Sequence, residues 1–295
     1  MNQTIGVLMG PTGTGKSAMA LRVAQQRPTV IINADAMQMV AELRVLTARP
    51  TVQEEAQAPH ALYGVLPAAE PTSVARWLAL VRPVIAQAWA EGQYPLLVGG
   101  TGMYINALRH GLADMPPVPE HVRAQVRAMD SAALYAALQA EAPESAAHYK
   151  PGDTQRLARA LEVWRATGQT LQHWQAQRTA PLFPQATFHV AYLNLPRAVL
   201  YARLDARFEQ MMLQGALDEV RALMALELPA DTPVLRAHGA PELAAYLQGS
   251  MTREDAVAKA QQNTRNYAKR QMTWLRHQAA DAQALSPTDH PAIFL

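Results

Sequence analysis

Apolar residues in the first third of this chain alternate between two periods. Ile5-Gly6-Val7-Leu8-Met9 is a short, nearly unbroken apolar run, the pattern of a strand buried on both faces. From Ala18 to Gln26 the apolar positions recur at helical spacing. Thr29-Val30-Ile31-Ile32-Asn33 is a β-branched run and predicts a second buried parallel strand. Ser73 to Ala90 predicts an amphipathic helix with Trp77, Leu80, Val81, Val84 and Ile85 on its apolar side, and Pro83 is expected to kink or divide it. Tyr94-Pro95-Leu96-Leu97-Val98 predicts a third strand, running into Gly99-Gly100-Thr101-Gly102 and a helix from Met103. This βαβα order predicts an α/β fold, a parallel sheet flanked by helices on both faces.

The pattern changes at Ala113-Asp114-Met115-Pro116-Pro117-Val118-Pro119, a proline cluster that marks a boundary. The segment beyond it reads as helices only, over Glu120–Met129, Ser131–Glu141 and Thr154–Thr167. A second boundary falls near Ala180-Pro181-Leu182-Phe183-Pro184, and Thr187–Leu193 then predicts a return to the sheet. Helices are expected over Arg197–Gln214, Ala216–Leu226, Pro241–Gln248 and Thr252–Arg276. The reading is a discontinuous core domain, 1–112 and 180–295, carrying an inserted all-helical domain at 113–179. From Asp281 onward no periodicity survives, and a poorly ordered tail is expected.

Composition narrows the class. The 295 residues are 49% hydrophobic, enough for a sizeable core, and 17% charged, with a net charge of only +2. The absence of cysteine removes disulfides, thiol catalysis and cysteine-ligated zinc. The histidines form no His-x-x-x-His pair, so no metal site is assigned to them. No signal-peptide pattern precedes the first strand and no stretch is apolar for long enough to span a bilayer, so a cytoplasmic protein without membrane contact is expected.

Gly10-Pro11-Thr12-Gly13-Thr14-Gly15-Lys16-Ser17 is a complete P-loop between the first strand and the first helix. Its glycines let backbone N–H groups converge on an anion, the helix N-terminus adds its dipole, Lys16 supplies an ammonium and the Ser17 hydroxyl can ligate Mg²⁺. The sheet is therefore expected to be P-loop NTPase-like. Asp35 ends the second strand, where a carboxylate acts as metal ligand or general base, or simply caps a helix. Thr101 follows the third strand and is either a site hydroxyl or an N-cap. P-loop, Asp35 and Gly99–Gly102 all follow strands and should meet in one crevice.

Gln155, Arg156 and Arg159 share a helix with Arg165. Arg265, Lys269 and Arg276 can share a face of the last helix, with Arg270 adjacent and Tyr267 and Trp274 interleaved. No acidic residue lies between Gln261 and Ala280 to pair with them locally. Such a face suits a nucleic-acid backbone or is simply solvated. Arg203 and Arg207 lie four apart and could cover a bound phosphate as a charged lid, or pair with Asp205 or Glu209.

Taken in order, these segments resemble the tRNA dimethylallyltransferases (tRNA isopentenyltransferases) along nearly the whole chain. The likeness rests on the P-loop, Asn33-Ala34-Asp35-Ala36-Met37-Gln38, Thr47-Ala48-Arg49-Pro50-Thr51 and Val98-Gly99-Gly100-Thr101-Gly102-Met103-Tyr104. It continues through Gln155–Val163, Arg207–Met212 and Asn266–Trp274. The resemblance implies transfer of the dimethylallyl group of dimethylallyl diphosphate to N6 of adenosine-37 in tRNAs that read codons beginning with U. The P-loop would then hold a diphosphate leaving group with Mg²⁺, rather than ATP. Asp35 would accept the N6 proton, Thr101 would line the channel, and Lys16 and Arg207 would face the diphosphate. Asp35, Ala36, Met37, Gln38, Thr101, Arg123, Gln155, Arg156, Leu157, Ala158 and Arg159 would contact tRNA, with the helical insertion clasping the anticodon stem-loop. A compact bacterial type acting as a monomer is expected.

Departures from the family pattern are Ala36 for Ser, Val40 for Tyr, Arg49 for Lys, and Gly239-Ala240-Pro241-Glu242 for Gly-Tyr-Lys/Arg-Glu. Loss of the Ser hydroxyl removes one hydrogen bond near the adenine, worth ~1 kcal/mol. Three other readings stay open on the residues alone: a small-molecule P-loop kinase, a free-nucleotide prenyltransferase, and a non-catalytic RNA-binding module.

Overall fold

Ile5, Val7 and Leu8 are completely buried in the middle of a six-stranded parallel sheet, as their unbroken apolar pattern predicts. The structure, a computed structural model, describes residues 3–279 and 281–295. The chain separates into two units. One runs to Asn106 and resumes over Gln185–Leu295; the other is Ala107–Pro184.

The first unit begins β1 (Thr4–Met9), α1 (Lys16–Ala24), β2 (Thr29–Asn33), α2 (Val52–Glu55), β3 (His60–Ala61), α3 (Val74–Ala90) and β4 (Tyr94–Gly99), after which α4 (Gly102–His110) follows. The second unit holds α5 (Glu120–Arg127), α6 (Ser131–Glu141), α7 (Pro143–Ala146), α8 (Thr154–Thr167) and α9 (Leu171–Ala176). The first unit then resumes with β5 (Thr187–Leu193), α10 (Arg197–Leu213), α11 (Ala216–Met224), α12 (Ala240–Leu247), α13 (Arg253–Gln278) and β6 (Gln283–Leu285).

The sheet order is β3-β2-β4-β1-β5-β6, with every pair parallel. From β1 the chain moves to one side of the sheet for β2 and later to the other side for β5. The loop after β1 therefore lies at a switch point, where α/β folds open a crevice. In the helical unit, Val126, Leu134, Leu138, Leu157 and Leu161 close a separate small core. Asp130 caps α6 by accepting the Ala133 N–H at 2.8 Å, and α8 stops at Gly168 in the left-handed region, φ +67°.

The structure departs from expectation at two places, for physical reasons. α3 is not divided at Pro83: the proline sits on an exposed position, while Trp77, Val81 and Ile85 hold the helix on the sheet. The segment after Asp281 is not a loose tail. β6 pairs with β5, Phe294 is fully buried, and Arg27 donates to the Phe294 carbonyl at 2.8 Å while stacking on Tyr94. The short elements α2, α7, α9 and β3 carry too few residues to show a period. No described helix is long and apolar enough to cross a membrane.

Phe294→Ala should therefore lower unfolding free energy by about 3–5 kcal/mol, the cost of emptying an aromatic core site. Urea denaturation followed by circular dichroism would measure it.

Candidate active site

The loops after β1, β2 and β4 surround one cavity of about 1140 Å³ in the first unit. Its floor is the P-loop. Gly13 and Gly15 take φ +82° and +92°, backbone that a side chain would strain, and Gly15 is the N-cap of α1. Thr14 is fully buried and donates its hydroxyl to the Pro11 carbonyl at 2.8 Å, locking the turn from inside. Lys16 Nζ donates to the carbonyls of Gly10 and Pro11, both at 2.9 Å. Arg207, on α10, donates to Thr12 Oγ1 at 2.7 Å.

Desolvation pushes Lys16 down to about 8, against the pull of Asp35 and with a smaller push from Arg207. Desolvation likewise lowers Arg207 to about 10, again opposed by Asp35. Both groups remain cationic at neutral pH, in surroundings that favour losing the charge. An anion entering the cavity removes that penalty.

The loop after β2 is held by a buried asparagine. Asn33 accepts the Asp35 N–H at 2.8 Å and donates to the carbonyls of Asp35 and Leu62 at 2.9 and 3.0 Å. Trp77 Nε1 donates to the Asn33 carbonyl at 2.8 Å. Asp35 Oδ1 accepts the Met37 N–H at 3.0 Å and lines the cavity, while the N-cap of the short turn Met37–Met39 is Ala36. Thr101 Oγ1 accepts the Ala36 N–H at 3.1 Å, tying the β4 loop to the β2 loop. Gly99 allows that approach: a Cβ there would overlap the Ala34 carbonyl.

Two side chains from distant sequence fix these loops. Gln271, buried on α13, accepts the Thr12 N–H at 2.9 Å and donates to the Gly100 carbonyl at 3.2 Å, joining the P-loop to the Thr101 loop. One P-loop amide is thus engaged by protein instead of facing an anion. Glu219, on α11, accepts the N–H groups of Arg44, Val45 and Leu46 at 2.8, 2.7 and 2.9 Å. This holds the segment in which Gln38 Nε2 bonds the carbonyls of Thr47 and Ala48, both at 3.0 Å. Arg49 lines the same wall, with its Nε buried and unpartnered. His238 and Tyr267 stack there at 4.3 Å, and burial lowers the imidazole below its ordinary pKa.

The cavity gathers Thr12, Gly13, Gly15, Lys16, Ser17, Asp35, Ala36, Met37, Gln38, Thr101 and Arg207. Gly10, Pro11 and Thr14 support it from behind, the two carbonyls by holding Lys16 and Thr14. Arg123, Gln155, Arg156, Leu157, Ala158 and Arg159 belong to the helical unit. There Arg123 pairs with Glu120 at 3.2 Å, Arg156 with Asp153 at 3.5 Å and Arg159 with Glu162 at 3.2 Å. Leu157 is completely buried in that unit's core, so its side chain packs the helix and is not presented to a ligand. Arg203 is exposed and does not line the cavity, which leaves Arg207 alone of the expected lid pair. Arg265 is not free: it meets Asp205 of α10 at 2.5 Å, a partner that local spacing could not show. Gln271, Glu219 and Tyr63 carried no local signal of a role.

A parallel sheet with a P-loop at its switch point, two cations on one wall and a strand-end carboxylate facing them define a P-loop enzyme. Its cavity brings those two cations and the carboxylate to one wall-lined space, a setting suited to an anion. The family profile described as IPP transferase matches residues 38–278, and one described as isopentenyl transferase matches residues 3–63. A tRNA dimethylallyltransferase of Rhodospirillum centenum is 51% identical over 95% of this chain and 90% of its own length. That of Azorhizobium caulinodans is 50% identical over 93% and 89%. The crystal structure of a full-length tRNA isopentenylpyrophosphate transferase from Bacillus halodurans superposes with a TM-score of 0.72 at 29% identity, covering 99% of this chain and 93% of that one. A eukaryotic dimethylallyltransferase captured acting on tRNA gives 0.79 at 25% identity, over 97% and 74%. The chain belongs to the tRNA dimethylallyltransferase family.

Because Lys16 in the fold lies below its ordinary 10.5, the unfolded chain holds that proton more firmly between about pH 8 and 10.5. The lysine therefore costs stability at neutral pH, and this cost disappears as pH rises through that window. Lys16→Met should raise the thermal unfolding midpoint at pH 7 while abolishing affinity for inorganic diphosphate. In the unaltered protein that affinity should fall as pH rises through about 8, as titration calorimetry would show.

Proposed function

We propose that this chain transfers the dimethylallyl group of dimethylallyl diphosphate to N6 of adenosine-37, beside the anticodon of tRNAs that read codons beginning with U. The carrying observation is Asp35 facing Lys16 and Arg207 across one cavity, a proton acceptor opposite two groups suited to a departing anion. The N6 lone pair forms the new bond to the allylic C1 as the C1–O bond breaks. The electron pair of that bond leaves with the diphosphate, whose growing charge is met by Lys16, Arg207 and the α1 N-terminus. The N6 proton passes to the Asp35 carboxylate. Thr101, bonded to the Ala36 N–H, holds the β4 loop against the loop that carries Asp35.

The residues fit Mg²⁺. Ser17 lines the cavity with no hydrogen-bond partner among the described residues, and Mg²⁺ is commonly held by one or two protein oxygens plus substrate phosphate. When bound, it supplies charge neutralisation on the leaving group. Ser17 and the diphosphate would be its ligands.

The helical unit is the proposed clasp for the anticodon stem, with Arg156, 75% exposed, and with Arg123 and Arg159, each beside a carboxylate partner. The exposed position of Arg203 removes the charged-lid pair that had favoured a kinase.

Purified protein, tRNA, dimethylallyl diphosphate and Mg²⁺ should yield N6-isopentenyladenosine by mass spectrometry. Asp35→Asn should lower the rate by about 10²–10⁴-fold, the usual worth of a general base, with tRNA still bound in a filter assay. Folded protein that forms no prenylated nucleoside would refute the reading. Arg156→Ala should weaken tRNA binding and reduce its salt dependence by about one counterion.

A further inference from the structure

Tyr63 lines the same cavity, yet neither the leaving-group chemistry nor the proton transfer uses it. Its ring packs against the core cluster that contains Ile31 and Tyr94, while its hydroxyl has no hydrogen-bond partner among the described residues. Tyr63 is half-buried, and a phenol that faces a cavity without a protein partner is free to bond a ligand there.

The backbone around Tyr63 is held on both sides. Asn33 Nδ2 binds the preceding carbonyl, that of Leu62, at 3.0 Å, and the following N–H, that of Gly64, donates to the Gln38 carbonyl at 2.8 Å. The same Asn33 amide binds the Asp35 carbonyl at 2.9 Å, so Tyr63 and Asp35 are fixed to one anchor. Leu62 takes φ +65°, a left-handed backbone that a branched apolar residue adopts at a cost. Strain of this kind persists where the surroundings over-determine it, and here those surroundings are the two loops of the site.

We propose that the Tyr63 hydroxyl contacts substrate directly, donating a hydrogen bond to a ring nitrogen of the target adenine next to the amine that Asp35 serves. The inference rests on the proposed prenyl transfer and deepens it. Burial, then the nearby carboxylates of Asp35, Glu55 and Glu54, push the phenol well above its ordinary pKa, so it stays protonated and acts as a donor. Adenine presents an N6–H donor beside a ring-nitrogen acceptor, N7 on one edge and N1 on the other. A carboxylate acceptor with a phenol donor beside it is the complement of either edge. Guanine would turn its O6 lone pairs toward Asp35, leaving a buried repulsive contact. Tyr63 and Asp35 together thus read the base as adenine.

The test uses anticodon stem-loop RNA carrying adenosine, 1-deazaadenosine or 7-deazaadenosine at the target position, with unaltered protein and Tyr63→Phe. Phenylalanine keeps the ring packing, and matching thermal midpoints would show that the fold is retained. Tyr63→Phe is expected to lower kcat/KM for adenosine RNA about 5- to 10-fold, the net worth of one hydrogen bond, with KM for dimethylallyl diphosphate unchanged. One of the two deaza substitutions should cost the unaltered protein a similar factor and cost Tyr63→Phe nothing further. Equal kcat/KM for the two proteins, a loss that falls on the diphosphate KM, or deaza penalties identical in both proteins would overturn the assignment alone. Failure of the unaltered protein to prenylate adenosine RNA would overturn the proposed function and this assignment with it.

Discussion

A carboxylate and two cations share one cavity in this protein without closing onto one another. Each is occupied by a neutral partner: Lys16 by two backbone carbonyls, Arg207 by the Thr12 hydroxyl, Asp35 by the Met37 N–H. Had Lys16 or Arg207 closed onto Asp35, the pair would be stable and inert, because its mutual attraction would have to be broken before either could meet a reactant. Held apart, the cations keep their demand for an anion and the carboxylate keeps its capacity for a proton. The proposed separation of leaving-group chemistry from proton acceptance rests on that arrangement.

Keeping the charges apart requires stiff loops, and the stiffness comes from outside them. Gln271 binds one loop through each end of its amide, and Glu219 gathers three successive N–H groups of the segment that carries Gln38's partners. Neither residue is placed to react. Removing either would free backbone groups that the cavity does not satisfy, at about 1–3 kcal/mol each. The family departure at Ala36 is read in the same light. With no hydroxyl at position 36, it is the Thr101 hydroxyl that meets the backbone N–H there.

What was legible in the sequence was local. The P-loop, Asp35 and Gly99–Gly102 were visible because each lies directly after a β-branched or apolar run, and strand ends of a parallel sheet share one side. The helical insertion was visible because prolines bracket it and no strand pattern interrupts it. Gln271, Glu219 and Tyr63 were not visible. An amide on a long helix, a glutamate in the first turn of another and a tyrosine after a two-residue strand look like ordinary surface or core residues until the chain closes. The partner of Arg265 was not visible for the same reason, since that carboxylate is 60 residues away. The segment after Asp281 was misread because three strand residues between turns give no period, although the sheet edge and the α1 flank were waiting to bind it.

The bond from Arg207 to Thr12 spans 195 positions of sequence, and that from Gln271 to Thr12 spans 259. On a ribosome the phosphate loop emerges early, yet the side chains that shape it are among the later ones made. Long loops must close before those contacts reward the ordering, so the cradle assembles late and slowly compared with the helical insertion, whose partners are close in sequence. A nascent chain therefore carries its anion-binding motif through most of synthesis without a finished anion site. The cradle is complete only once the last helix has docked against the first loop.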